Sequence, residues 1–148
     1  MSLQTDIIFV KALQSNAGLM EQLPDGDVHN TAIALPDVDL DNAQVPYVIV
    51  EFLSLSNEDT TKDGYEGDTD RVQIGIEVAA RTRAELCQLT MEIRRTIREY
   101  FENIDTGDED ANLVPLDYQF TAQGVVYDAD KPCYWQVLNY QCDTNIDE

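Results

Sequence analysis

Three segments within residues 47–102 decide the fold: YVIVEFLSL (47–55), RVQIGIEVAA (71–80) and TRAELCQLTMEIRRTIREYFE (82–102). The first is apolar at nearly every position, which predicts either burial on both faces or a central strand covered by a helix and by a neighbouring subunit. The second alternates between apolar and polar side chains, the pattern of a strand with one buried face. The third predicts a long amphipathic helix that starts directly after the second strand.

The start of that helix has its own signal. Thr82 and Glu85 have the spacing of a capping box, in which each side chain accepts from a free backbone amide of the first turn. Leu86, Leu89 and Ile93 then recur at helical spacing and predict the buried stripe.

Three arginines of the helix, Arg94, Arg95 and Arg98, lie mostly off the apolar stripe, next to Glu92, Glu99 and Glu102. Ion pairs between side chains three or four residues apart account for part of this charge. The remaining positive charge predicts contacts with acidic loops of a neighbouring subunit. A helix face that is simply solvated is the alternative interpretation.

The connection between the two strands, residues 56–70, is longer than the two to five residues usual for a hairpin. It contains two glycines and six acidic residues against one lysine. Two interpretations stay open: an extended arm that becomes ordered on a partner, or a flexible loop tip. The candidate interface residues of the arm are Glu58, Asp59, Lys62, Asp63, Tyr65 and Glu66.

The flanking sequence completes an α+β fold. An N-terminal helix is expected from Thr5 or Asp6 to Glu21 or Leu23, and a short strand over residues 28–35. Two further strands are expected over residues 116–127 and 133–142, with a frayed tail at 143–148. The prediction is one domain, residues 1–148, with a mostly antiparallel sheet of about four to five strands and two helices on one face, in the order α-β-β-β-α-β-β.

Composition limits the classes of partner. The chain has 29 acidic and 9 basic residues, a net charge of −20, and such a surface repels DNA and anionic membranes. The apolar runs are too short to span a bilayer, and the N-terminus lacks the pattern of a signal peptide. The three cysteines match no disulfide framework, which favours free thiols in a reducing cytoplasm.

No motif for catalysis or cofactor binding is present. His29 is the only histidine, and no Cys or second His stands at the spacing of a zinc site. The Asp37-Val-Asp39-Leu-Asp41 segment has the spacing of the first ligands of a calcium loop, but it lacks the required Gly and the final Glu. The sequence therefore predicts no enzyme activity, no cofactor and no metal, and the functional residues are expected at interfaces.

The combined pattern resembles a known family. An N-terminal IIFVKAL helix (7–13) is followed by VPYVIVEF (45–52), an acidic loop, the alternating strand 71–80 and the capped helix. This order of motifs is similar to that of the tail terminator, or tail completion, proteins of long-tailed bacteriophages and prophages. The resemblance covers roughly residues 6–101 and consists of patterns of residue types. The acidic connectors at 37–41 and 107–110 depart from the simplest form of the family.

The resemblance implies a structural virion protein. Such a protein forms a hexameric ring of identical subunits that caps the tail tube and offers a docking surface to the head–tail connector protein. DNA passes through the ring without specific binding, no membrane is involved, and the protein is found in the host cytoplasm during assembly and then at the tail end or neck. Two alternatives remain: another head–tail connector or neck component, and a small cytosolic ligand-binding or enzymatic α+β domain that uses His29 and nearby carboxylates.

Overall fold

The computed structural model describes residues 2–24, 26–30, 45–57, 67 and 69–145. Within these ranges the chain is α+β, as the sequence predicts, with more elements than expected. The helices are α1 (Thr5–Gln14), α2 (Ala17–Gln22) and α3 (Arg83–Asn103), and the strands are β1 (His29–Asn30), β2 (Tyr47–Ser56), β3 (Thr69–Ala80), β4 (Asp117–Ala122), β5 (Val126–Asp128) and β6 (Cys133–Asn145).

The six strands form one mixed sheet in the order β1-β2-β3-β6-β4, and β5 pairs with β6 beyond the end of β4. All pairs are antiparallel except β1 with β2, which run parallel. Parallel neighbours need a long connection, and residues 31–44, which make this one, lie outside the described residues. The predicted strand over 28–35 is therefore described only at His29–Asn30.

The core lies between one face of the sheet and the helices. Helix α1 packs on β2 and β3, and α3 packs on β3 and β6. On β3 the alternation places Val72, Ile74, Ile76 and Val78 in this core without solvent exposure. Each such side chain contributes about 1.5–3 kcal/mol on burial, so β3 fixes the helices against the sheet.

The continuous apolar run of β2 is explained by burial of consecutive side chains. Val48, Ile49 and Val50 are buried in succession, so its first half is covered on both faces, as predicted. The second half is exposed, with Leu53 at 48% of its accessible surface. The register with β3 shifts between Phe52 and Ser54, where the pairing is irregular.

The N-terminal helix is two helices rather than the single one that the sequence predicts. Helix α1 ends at Gln14, and Asn16 caps α2 by accepting a hydrogen bond from Leu19 N at 3.1 Å. The Asn16 side-chain amide also donates to Thr96 on α3 at 2.9 Å. An asparagine that serves as an N-cap ends one helix and starts the next, and here it also ties the junction to α3.

The C-terminal strands also differ from the prediction. The expected strand over 116–127 is interrupted at residues 123–125, so β4 and β5 pair separately with the same edge of β6. Residues 143–145, which the sequence predicts to be frayed, belong to β6. Ser2 holds this end of β6 in place: its hydroxyl is 2.8 Å from the Thr144 hydroxyl and donates to the Asn145 carbonyl at 2.9 Å.

Candidate subunit interface

A basic ridge projects from α3 into solvent. It consists of Arg94, Arg95 and Arg98, all exposed, on the side of the helix away from the buried stripe. Thr82 caps the helix as predicted, accepting from Glu85 N at 3.1 Å. The reciprocal half of the predicted capping box is not formed: Glu85 Oε1 is buried without a hydrogen-bond partner among the described residues. The cap fixes where the helix begins and the stripe fixes its rotation, and together they determine which side chains face outward.

The ridge surrounds an open depression of about 660 Å³ lined by Gln88, Met91, Glu92 and the three arginines. Met91 is 71% exposed and adds apolar surface beside the three guanidinium groups. Its thioether adapts to irregular partners, so the ridge offers both charge and apolar area to a partner.

One arginine of the ridge is held in place by an aromatic ring. The Arg94 guanidinium lies 4.1 Å from the centre of the Phe120 ring, on strand β4. A guanidinium over a ring face is attracted by the ring's quadrupole. The contact sets Arg94 next to the outer edge of the sheet. Phe120 was not among the predicted site residues; its alternation with Tyr118 marks a strand, and nothing in the sequence indicates its arginine partner.

The predicted ion pairs within α3 are not formed. Among the described residues, the three guanidinium groups of the ridge make no salt bridge within 4.0 Å. Glu92 instead accepts hydrogen bonds from Asn16 at 3.2 Å and Gln22 at 3.0 Å, which draws it toward α2. The positive charge of the ridge is therefore not neutralised within the described part of the chain.

The six arm residues, Glu58, Asp59, Lys62, Asp63, Tyr65 and Glu66, lie outside the described residues. Residues on either side of the arm are described, and Asn57 joins them through hydrogen bonds to Gly67 and Asp70. The side-chain amide of Asn57 donates to the Gly67 carbonyl at 3.0 Å and to Asp70 Oδ1 at 2.9 Å, and its oxygen accepts from Gly67 N at 2.7 Å. The two ends of the connection are thus held together.

Among the described strands, β4 is an open edge of the sheet. Gln123 N donates to the Val137 carbonyl at 3.0 Å, and hydrogen-bonded pairs alternate along an antiparallel ladder. In this register the N–H and C=O groups of Phe120 and Ala122 point away from β6. The Tyr118 N–H also points outward, but the Asp117 carboxylate accepts from it at 2.8 Å. Unpaired edge groups of this kind are available to another strand.

One acidic residue, Asp110, forms an ion pair with a lysine of the same chain. Lys11 Nζ lies 2.8 Å from Asp110 Oδ2 and ties the acidic connector after α3 to α1. The hydrogen bond to Asp110 raises the pKa of Lys11. This pair is partly exposed and contributes little to stability, so its main consequence is to position the connector.

The sheet face opposite the helices carries two carboxylates, Glu51 and Glu77, on adjacent strands. Glu77 accepts a hydrogen bond from the Tyr47 hydroxyl at 3.2 Å. Burial and the charge of Glu77 raise the pKa of Glu51, and the same two causes raise the pKa of Tyr47. Glu51 pairs with Gly75 and Glu77 pairs with Ile49, so the two carboxylates are diagonal rather than direct cross-strand neighbours.

Neither a metal centre nor a membrane segment is found where the chain is described. No group of three or more His, Cys, Asp and Glu side chains in that part is arranged to hold a metal ion. No described helix has the length and apolar character needed to cross a bilayer. The Asp37–Asp41 segment lies outside the described residues, and His29 is half-buried in the edge strand β1.

A scan against protein-family models gives no match for this chain. A search of curated proteins gives none either.

Proposed function

We propose that this protein is a tail terminator of a long-tailed bacteriophage or prophage, which assembles as a hexameric ring on the end of the tail tube and forms the surface that joins it to the head. The observation that carries the proposal is the basic ridge of α3, whose arginines make no salt bridge among the described residues, in a chain of net charge −20. A ridge of this sign is complementary to the acidic surface of an identical chain, and contacts repeated between different faces of the same subunit generate rings.

The sheet supports the same proposal. It ends in β1 at one side and in β4 at the other, and β4 has outward backbone groups. Opposite edges of this kind suit head-to-tail contacts, in which one face of each subunit meets a different face of the next. The motif order that resembles the tail terminator family supplies the particular role, capping of the tube and docking of the connector.

The net charge fits a ring through which DNA moves. If acidic residues line the opening, they repel the phosphate backbone and keep the passing DNA from binding. Filter binding of duplex DNA at low salt tests this part, and we expect no retention. Tight DNA binding by the assembled protein would contradict it.

The proposal is tested by adding the purified protein to tail tubes that lack a terminator and counting capped ends by negative-stain electron microscopy. We expect a ring at one end of each tube and an end to further tube growth. A protein that leaves tube length and tube ends unchanged, in excess over ends, would overturn the assignment. The Arg94→Glu/Arg95→Glu/Arg98→Glu variant, expected not to cap, links the result to the ridge.

A further inference from the structure

We propose that the open edge of β4 and the two arginines beside it form one binding site for an extended segment of a partner protein, in which every second side chain is acidic. The segment adds to β4 as an antiparallel strand and sets its carboxylates against Arg94 and Arg98. The inference deepens the proposed function, since a ring that joins tube and head must bind proteins other than itself. It rests on that function only for the identity of the partner. All residues of the site lie within the described part of the chain.

The backbone part of the site is a short row of outward groups. The N–H and C=O groups of Phe120 and Ala122 point away from β6, and so does the Tyr118 carbonyl. Among the described residues, no group is hydrogen-bonded to them. The Asp117 carboxylate accepts from the Tyr118 N–H at 2.8 Å, so this amide is taken and one end of the row is defined. From Tyr118 to Ala122 the row extends over about 13 Å, since a strand rises about 3.3 Å per residue.

The charged part of the site is made by two arginines of α3. The Arg94 guanidinium is 4.1 Å from the centre of the Phe120 ring. Burial raises the pKa of Tyr118, Glu102 adds to the rise, and Arg98 and Arg94 oppose it, so both guanidinium groups act on the same tyrosine of β4. Neither arginine forms a salt bridge within the described residues. The edge therefore carries unpaired positive charge on the side of the sheet where α3 packs.

The geometry of an added strand determines what the partner presents. In an antiparallel pair, residues opposite each other place their side chains on the same face of the sheet. The partner residues opposite the outward row therefore lie on the face of Phe120, next to Arg94 and Arg98. They stand at every second position, and the residues between them lie on the face of Gln119 and Thr121. Carboxylates match the first face, and uncharged side chains match the second.

An open edge also permits pairing with an identical chain, but two observations disfavour it here. None of the described strands has acidic residues at alternate positions. Symmetric pairing of two β4 edges would bring Arg94 and Arg98 of both copies to the same face of one sheet, where like charges repel. Arg95 borders a separate depression next to Asn16 and Tyr100, so it remains available for contacts between identical chains.

The probe is a synthetic peptide of seven residues in which Thr and Glu alternate, with Thr at both ends and fluorescein at the N-terminus. Titration with the full-length protein, followed by fluorescence anisotropy, measures its Kd. One matched peptide has the same composition with the glutamates adjacent, and another replaces each Glu by Gln. We expect the alternating acidic peptide to bind at least about tenfold more tightly than either. Since the net charge of −20 repels acidic peptides in general, this preference would identify the local arginines.

Substitutions on α3 locate the bound peptide. Arg98→Gln should weaken binding about fivefold, and Arg94→Gln/Arg98→Gln should remove most of the preference for glutamate over glutamine. Arg83→Gln is the matched control, because Arg83 is exposed on the same helix but lies about three turns before Arg94. It should leave the Kd unchanged. An equal loss with Arg83→Gln would show a general effect of charge and would overturn the site.

N-methylation of the peptide tests the backbone pairing. In an antiparallel pair, each residue opposite an outward position of β4 exchanges both of its backbone hydrogen bonds with it. The glutamate N–H groups therefore point toward β4 and the threonine N–H groups toward solvent. A peptide with N-methylated glutamates should not bind, whereas one with N-methylated threonines should bind like the unmodified peptide. The Phe120 and Ala122 amides should exchange more slowly when the unmodified peptide is present.

Four results would overturn the inference: no binding of the alternating peptide, equal binding of all three peptides, equal binding of both N-methylated peptides, or no change in amide exchange at Phe120 and Ala122. Protection of these two amides in the protein alone would also overturn it, because the edge would then be covered by the chain itself or by another copy. None of these measurements uses a tail tube, so failure here is separate from failure of the capping test.

Discussion

The Arg94 guanidinium lies 4.1 Å from the centre of the Phe120 ring and connects helix α3 to the edge strand β4. This contact joins the two parts of the candidate interface, a charged helix face and an open sheet edge. Because α3 itself lies over β3 and β6, a side chain reaching sideways from it provides cover for β4. The stability of the edge and the position of the charge are therefore linked.

The first prediction is a coupling between these two residues. In a double-mutant cycle with Arg94→Met and Phe120→Leu, we expect a coupling of about 0.5–1 kcal/mol in the free energy of unfolding, the range for a partly exposed cation–π contact. Urea denaturation measures it. The control cycle pairs Arg95→Met with Phe120→Leu and should show no coupling, since the cation–π contact to Phe120 is made by Arg94, while Arg95 also borders a second depression lined by Asn16 and Tyr100. Equal coupling in both cycles would contradict the assignment.

The second prediction concerns Tyr140, a ring in the centre of the core. Its hydroxyl is buried and has no hydrogen-bond partner in the part of the chain that the structure describes, while its ring lies 5.0 Å from Phe9 and 5.2 Å from Phe120. A buried hydroxyl without a partner costs about 1–3 kcal/mol. Tyr140→Phe should therefore raise the free energy of unfolding by about 1 kcal/mol. Tyr118→Phe, in the same ring cluster but partly exposed, should change it little. A less stable Tyr140→Phe variant would mean that the hydroxyl has a partner.

The third prediction is selective thiol labelling. Cys87 is exposed, whereas Cys133 and Cys142 are buried. Burial, with a smaller contribution from Asp143, raises the pKa of Cys142 to about 12, so almost none of it is thiolate at pH 8. Iodoacetamide should modify one thiol rapidly in the native protein and all three after unfolding. Cys87→Ser should remove the rapid phase, and a remaining rapid phase would show that a buried cysteine is accessible.

The fourth prediction is that Glu51→Gln raises the free energy of unfolding, by an amount that depends on pH. Burial and Glu77 raise the folded-state pKa of Glu51 above its ordinary value of 4.5. Between the unfolded-state and folded-state pKa values of Glu51, the folded state therefore binds more protons than the unfolded state. Stability is lost as the pH rises through this range. Glu51→Gln removes this loss, so it should be more stable than the wild type at pH 7, by less than about 1 kcal/mol. The difference should vanish below the unfolded pKa. A gain that persists at pH 3 would point to packing instead.

The fifth prediction concerns the closure of the acidic arm. Asn57 donates to Asp70 Oδ1 at 2.9 Å, and Asp70 is only 5% exposed. Asn57→Asp sets a second carboxylate against it and removes the donor, which should destabilise the protein by about 1.5–3 kcal/mol at pH 7. The loss should shrink as the pH falls and one carboxylate becomes protonated. Ser54→Asp, at an exposed position of β2 just before Asn57, should have little effect, and an equal loss there would argue against a specific role for Asn57.

The sequence predicted those parts of the fold whose signals are local. The alternation of residues 71–80 predicted strand β3 with one buried face, and the Thr82 cap and apolar stripe predicted the long helix α3. The break at Asn16 was missed because a single asparagine inside a helical pattern does not by itself stop a helix. The parallel pairing of β1 with β2 was missed because the register between distant segments has no local signal.

The candidate site was predicted only in part. The three arginines were identified from their position off the apolar stripe, and the structure places them on one exposed ridge. Their lack of salt-bridge partners within the described residues depends on Glu92 turning toward α2, which sequence spacing does not reveal. The role of Phe120 depends on its contact with Arg94, a residue 26 positions away in the chain (120 − 94).

The sequence by itself determined the α+β class, the buried face of β3, the start of α3 and the strong segregation of charge, because periodicity and capping act over a few residues. The tertiary structure decided which strands are neighbours, which edge of the sheet is left open, and that Arg94 and Arg98 lie beside that edge. These features depend on how the helices and strands pack around one core. The packing of lowest free energy is set by contacts between segments distant in the chain, and the sequence of a single segment does not determine it.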